Sequence, residues 1–129
     1  MKKLSEKNLP TTLDEAVEMV IASLTEEDKR IIRITPGWHI KAHSGYGRYL
    51  RNIWGFWNPE STTLRRWFAE NLKVAHPDDM SGTILKAVWR KMRDEPFDAP
   101  AHVKGYVKHW TEYKCDPLVG DSAPIKKKS

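Results

Sequence analysis

Cysteine is nearly absent: Cys115 stands alone, so neither a disulfide framework nor a thiolate metal site of zinc-finger spacing is available to the fold. That usage fits a reducing compartment, and Cys115 reads as a spare thiol. Long apolar runs are missing too. No stretch approaches the roughly 20 residues that span a bilayer, and Met1-Lys2-Lys3 runs into polar Ser5-Glu6-Lys7-Asn8 instead of the apolar stretch of a secretory leader. The expectation is a cytoplasmic protein with no membrane segment. Internal repeats, interior low-complexity runs and useful lengths of strand-like alternation are also lacking, and the β-branched stretch Arg30 to Ile34 has no partner strand. Helix on helix is the architecture that remains. H-E-x-x-H, a phosphate-cradling glycine loop, a Ser-His-Asp order and the motifs of common nucleic-acid readers are absent as well.

What is present is bulky apolar material. Hydrophobic residues make up 40% of the 129, six of them Trp, which is enough to bury one core unaided by disulfides or metals. The expected layout is a flexible lead over 1–9, a single helical domain over 10–115 and a disordered basic tail over 116–129. Lys and Arg (22) exceed Asp and Glu (17), giving a net charge of +5 that favours anionic partners. Lys126, Lys127 and Lys128 supply three of those charges, which weakens the case for a folded basic groove.

Periodicity divides the chain into five to six short helices, an all-α compact bundle. Thr12-Leu13-Asp14-Glu15 has the capping-box pattern, and Leu13, Val17, Val20, Ile21 and Leu24 follow as one stripe. Thr25-Glu26-Glu27-Asp28 opens a second helix with Ile31, Ile32 and Ile34 as its buried side, ended by Pro36-Gly37. A third helix is expected over Ile40 to Trp57, where Gly45, Gly47 and Gly55 each cost about 1 kcal/mol of propensity. Something must offset them: another group approaching closely, or backbone exposed to a ligand. Ser61 or Thr62 caps a fourth helix carrying Leu64, Trp67, Phe68 and Leu72. Met80, Ile84, Leu85, Val88, Trp89 and Met92 make the cleanest stripe, a fifth helix. Asp98 and Pro100 open a last one with Val103, Tyr106, Val107 and Trp110.

One constellation holds the chemistry. On a helix, His43, Gly47, Arg51 and Trp54 fall along one stripe with Asn52 beside it, and polar groups set among Leu50, Ile53 and Trp54 need partners. Asp78 and Asp79 are the natural ones. In the structural reading Asp79 caps the fifth helix, Asp78 or Asp79 pairs with Arg51, Asn52 bonds a loop carbonyl, and His76 merely precedes Pro77. In the functional reading His43, Arg51, His76, Asp78 and Asp79 share a cleft, with Asn52 in the same candidate ligand site, where two His and two carboxylates could hold a metal or run acid–base steps. No catalytic residue, metal ligand set or cofactor is assigned. His39, His102 and His109 read as surface histidines. A candidate interaction surface combines Trp38, Arg48, Arg65, Arg66, Trp67 and Arg90, extended by Arg30, Arg33, Lys41, Lys86, Lys91, Arg93 and Tyr49, since basic groups interleaved with aromatics bind phosphates and anchor interfaces, although acids are interspersed throughout.

The motif His43-x-Gly45-x-Gly47-x-x-Leu50-Arg51-Asn52-x-Trp54-Gly55-x-Trp57, with His76-Pro77-Asp78-Asp79-Met80-Ser81-x-x-Ile84-Leu85 and the lead Leu9-Pro10 to Glu15, resembles an uncharacterised bacterial domain-of-unknown-function family over about residues 9 to 93. The resemblance implies a compact helical bacterial or phage protein and carries no activity, cofactor or catalytic residue. Asp98 to Lys114 lies outside it as an added helix. The functional expectation is a non-enzymatic interaction protein binding a protein or anionic partner, in the manner of an immunity protein or an inhibitor of host defence. A small-ligand domain or enzyme built on the His/Arg/Asp cluster, and a nucleic-acid-binding protein, stand as alternatives.

Overall fold

Helices start where side chains satisfy the first backbone amides, and the first two show how. The computed structural model describes residues 1–58 and 63–112, the side chains of 107 and 109–112 excepted. Thr12 Oγ1 accepts from the Glu15 amide to open α1 (Leu13–Ala22), while the Glu15 carboxylate reaches back to Thr11. Thr25 opens α2 (Glu26–Ile34) with a complete capping box: its hydroxyl accepts from the Asp28 amide and the Asp28 carboxylate from its own. Those bonds, with the Met1 ammonium at 2.9 Å, hold the Asp28 carboxyl down to about 2. The lead is therefore tied onto the bundle. The Lys2 amide donates to the Ser23 carbonyl, the Leu4 amide to the Tyr49 hydroxyl, and Leu4 joins the core.

The expected third helix is three pieces: α3 (Trp38–Lys41), a π turn (His43–Gly47) and α4 (Arg48–Ile53). Then come α5 (Thr63–Leu72), α6 (Pro77–Met92) and α7 (Ala99–Glu112). The described residues thus hold seven α-helices, more than the five to six expected, and no strand. Gly55 ends α4 at φ +65°, the left-handed position that lets the Phe56 amide return to the Arg51 carbonyl and drops Phe56 into the core. Ser61 and Thr62, expected as caps of α5, lie outside the described residues, as do the tail from 113 onward, Cys115 and the side chains of Val107, His109 and Trp110.

α6 is the central rod, packed by α1, α2, α3, the π turn, α4 and α7. Met80, Ile84, Leu85 and Val88 on it are fully buried, in one core cluster with Leu50, Trp54 and Phe68. No helix among the described residues is long and apolar enough to cross a membrane. α7 runs antiparallel to α6: Tyr106 lies over Gly82, whereas Ala99 shares a cavity wall with Ala87 and Lys91. Asp98 caps α7 through the Ala101 amide.

One expectation about α2 needs correcting. Ile31, Ile32 and Ile34 do not share a face; at 100° per residue, Ile31 and Ile34 lie together and Ile32 points away. The core takes Ile32, at 1% exposure, and leaves Ile31 at 42% and Ile34 at 59%. Trp89 Nε1 donates to the Thr35 carbonyl and Arg93 to the Arg33 carbonyl, which fixes that choice of face. Ile32→Ala should therefore cost about 2–5 kcal/mol in urea unfolding, whereas Ile34→Ser should stay within about 0.5 kcal/mol. Equal losses at the two positions would contradict this assignment.

Candidate functional site

Arg51 sits on α4 with 6% of its surface exposed, and a buried guanidinium must find acceptors. Nη1 donates to Ser81 Oγ at 2.8 Å and Nη2 to the His43 carbonyl at 3.2 Å. Nε lies 3.4 Å from Asp78 Oδ1, an ion-pair contact without the alignment of a hydrogen bond. Ser81 in turn donates to the Asp78 carbonyl. Arg51 is thus locked to the first turns of α6.

The π turn and its glycine follow from this lock. The Ala42 carbonyl accepts from the Gly47 amide five residues on, widening the turn while the His43 carbonyl serves Arg51. A Cβ at Gly47 would meet Arg51 Nη1 at 3.0 Å and Leu85 Cδ1 at 3.3 Å. Close approach therefore explains Gly47. Gly45 is different, since a Cβ there would meet nothing within 4 Å.

Asp79 is not the cap of α6. His76 is: its Nδ1 accepts from the Asp78 amide at 3.0 Å, with Pro77 at the first helical position. The acceptor role fixes the neutral tautomer with the proton on Nε2. The Asp79 carbonyl accepts from the Thr83 hydroxyl at 2.7 Å. His43 Nε2 stands 3.9 Å from Asp78 Oδ2 with both side chains more than 40% exposed, so the cluster is closed around Arg51 and open only at that rim. Trp57, 56% exposed, meets the edge of His76. Asn52 is exposed, so it is not the buried polar group that was expected. The structure therefore brings together His43, Arg51, His76 and Asp78, with Ser81 as a partner that its small size concealed in the sequence. Among the described residues no three His, Cys, Asp or Glu side chains are placed to hold a metal.

The expected interaction surface does not survive as one face. Trp38 is buried, Trp67 packs half-buried against the core, and Arg65 donates to the Phe56 carbonyl. Arg90 pairs with Glu95 at 2.8 Å, while Arg48 and Arg66 are exposed. A cavity of about 700 Å³ lies elsewhere, walled by α1, the end of α6 and Asp94 to Phe97.

A second polar seam joins α6 to its neighbours, and it overturns the reading of His39 and His102 as surface groups. His102 Nε2 and the Tyr106 hydroxyl are 2.8 Å apart, over Gly82, where a Cβ would meet that hydroxyl at 2.7 Å. Burial and the Asp79 carboxylate push Tyr106 up to about 12. His39 stacks on Trp89 at 4.9 Å with Nδ1 buried and lacking a hydrogen-bond partner. Burial and the nearby Lys86 hold His39 down, and burial with Lys86 and His39 brings His102 to about 4.

Two predictions follow from these geometries. Removing Asp78 leaves the buried Arg51 cation without its counter-charge, while removing Arg51 leaves a carboxylate that water reaches. Asp78→Ala should therefore lose about 3–5 kcal/mol in chemical denaturation and Arg51→Met less; the reverse order would refute the burial argument. His102 is ordinarily near 6.5 and lies near 4 in the fold, so folding favours its neutral form. The stability it contributes is complete above about 6.5 and is lost as pH falls toward about 4. Melting curves across that window should fall more steeply for the native chain than for His102→Phe.

The chain's first 112 residues carry the motif pair on the π turn, α4 and the head of α6, all inside one matched region. No curated protein and no solved structure matches the chain. The family described as a domain of unknown function, DUF6794, matches residues 9–92, which takes in every helix except α7, and the chain belongs to that family.

Proposed function

We propose that the chain is a non-enzymatic interaction domain whose partner is a protein docking on the α2–α3 corner. The observation that carries this reading is the exposure of three branched aliphatic side chains within ten residues: Ile31 at 42%, Ile34 at 59% and Ile40 at 71%. Solvent contact of that much apolar surface is unfavourable unless something covers it, and Ile31 and Ile34 lie on one helix face. Exposed Arg30, Arg33 and Lys41 frame it, and Arg30 is already paired with Glu27. An apolar centre with a basic rim fits a partner face that is apolar and edged with acids.

The polar cluster supports the same reading by what it lacks. Its most polar member, Arg51, spends Nη1 on Ser81 and Nη2 on the His43 carbonyl and holds its buried Nε against the Asp78 carboxylate, which leaves little for a substrate. A role as an immunity-like or inhibitory binder fits a domain of this size.

The test is capture of a partner from the native host with the purified chain, compared with the Ile34→Glu/Ile40→Glu double variant. The reading expects a reproducible protein partner that the double variant loses by tenfold or more at an unchanged melting temperature. Retention of the same partner by the double variant, or capture of nucleic acid with strong salt dependence in its place, would overturn it.

A further inference from the structure

The seam between α3, α6 and α7 gathers nitrogen donors and lacks a counter-charge. The register places them. Gly82, Lys86 and Trp89 recur at four- and three-residue steps, so they lie on one stripe of α6. Tyr106 lies over Gly82, and α7 runs antiparallel, so one turn back along α7 brings His102 level with Lys86. One turn further along α6, Trp89 carries His39 of α3 on its ring. Two imidazoles from different helices thus flank one ammonium, and all three side chains are half-buried.

The charges facing this seam do not cancel. From α6 come Asp79, Lys86 and Arg90, from the following turn Arg93 and Glu95, from α7 His102 and Tyr106, and from α3 His39. Glu95 is taken by Arg90 at 2.8 Å and by Arg93. Asp79 acts on Tyr106. Lys86 has no carboxylate within ion-pairing distance among the described residues. His39 Nδ1 is buried without a hydrogen-bond partner, and His102, bonded to Tyr106 through Nε2, has Nδ1 unclaimed among the described residues. An orphaned buried ring nitrogen beside an unpaired ammonium is an expensive arrangement unless an acceptor joins them.

We propose that Lys86, His39 and His102 form a binding site for a phosphate-class oxyanion. Three donors arriving from three helices match an anion that offers oxygens in several directions, and an ammonium serves such an anion as a point charge. The site is separate from the Arg51 cluster and from the exposed isoleucines, so it stands or falls apart from the docking surface. Burial first, and then the positive surroundings that attract the anion, keep the two imidazoles on the neutral side. An anion bound there stabilises their protonated forms, and by linkage protonation tightens the anion.

The experiment follows the histidine ring protons of the full chain by NMR across pH, in sodium phosphate and in sodium chloride at matched ionic strength. Phosphate is expected to raise the His102 midpoint from about 4 by about one unit or more, a tenfold preference of the anion for the protonated ring. His39 should move with it while His43 and His76 stay in place. Lys86→Gln should abolish the phosphate effect and, with its cation gone, raise the His102 midpoint in chloride. Should Lys86→Gln melt below the native chain, His39→Phe carries the same test, with the phosphate effect at His102 expected to shrink. Equal midpoints in the two salts, a rise shared by all the histidines, or a rise that survives both variants overturns the site. Methyl phosphate acting as well as inorganic phosphate assigns it to a phosphomonoester, and inorganic phosphate acting alone assigns it to the free ion.

Discussion

A single buried cation dictates much of the local architecture. The Arg51 guanidinium lies inside the bundle, where each donor left without an acceptor costs on the order of 1–3 kcal/mol. The chain answers with three groups drawn from 39 residues of sequence: the His43 carbonyl and the Ser81 hydroxyl accept hydrogen bonds, and the Asp78 carboxylate stands beside Nε as an ion-pair partner. Each has a backbone consequence. The His43 carbonyl comes with a widened turn, and the guanidinium beside Gly47 leaves no room there for a Cβ. Asp78 and Ser81 must come from the start of α6, so the helix has to begin at one defined residue, and His76 fixes that beginning through its ring nitrogen.

How legible this was depends on what kind of signal each residue gave. The pairing of Arg51 with Asp78 could be read from sequence because charge among apolar neighbours demands a partner, and an acid at a helix start is a good one. The cap could not. Histidine is an uncommon cap, and its acceptor nitrogen exists in only one tautomer, so an acid nearby looked the better choice. Ser81 gave no signal at all, being small and set in an apolar stripe. The single helix expected over Ile40 to Trp57 failed for a related reason. Its apolar spacing was sound, but periodicity does not register a π turn, which displaces the phase by one residue and is imposed by a tertiary contact.

At the surface, composition alone does not say which face of a helix a residue takes. Ile31, Ile32 and Ile34 are equally apolar, yet helical geometry allows the core to take only one side of them. Trp38 looked like an interface anchor because it neighbours basic residues. It follows Gly37, whose left-handed φ of +65° marks the corner before α3, and its ring is buried in the core. The histidines of the second seam look solvated in the sequence because two turns of spacing between His102 and His109 suggest nothing; what matters for His102 is that Tyr106, its neighbour one turn on along α7, packs over Gly82 of α6, a tertiary contact that no local pattern announces.

α6 links these observations physically. Its apolar stripe makes the core, its first turn holds Arg51 and its Gly82-Lys86-Trp89 stripe carries the polar seam to α7 and α3. Every polar interaction on it is therefore anchored to the same rigid rod, and neighbouring helices are positioned by what they contribute to it. α2 is the exception in kind. It gives α6 one buried isoleucine, with the turn that follows it held by the Trp89 indole, and keeps its other two isoleucines outward. A helix that spends so little of its apolar surface on its own core is held in place by α6 and keeps an apolar face outward, which is why the proposed docking surface is assigned to it and not to the more basic faces of α5 or α6.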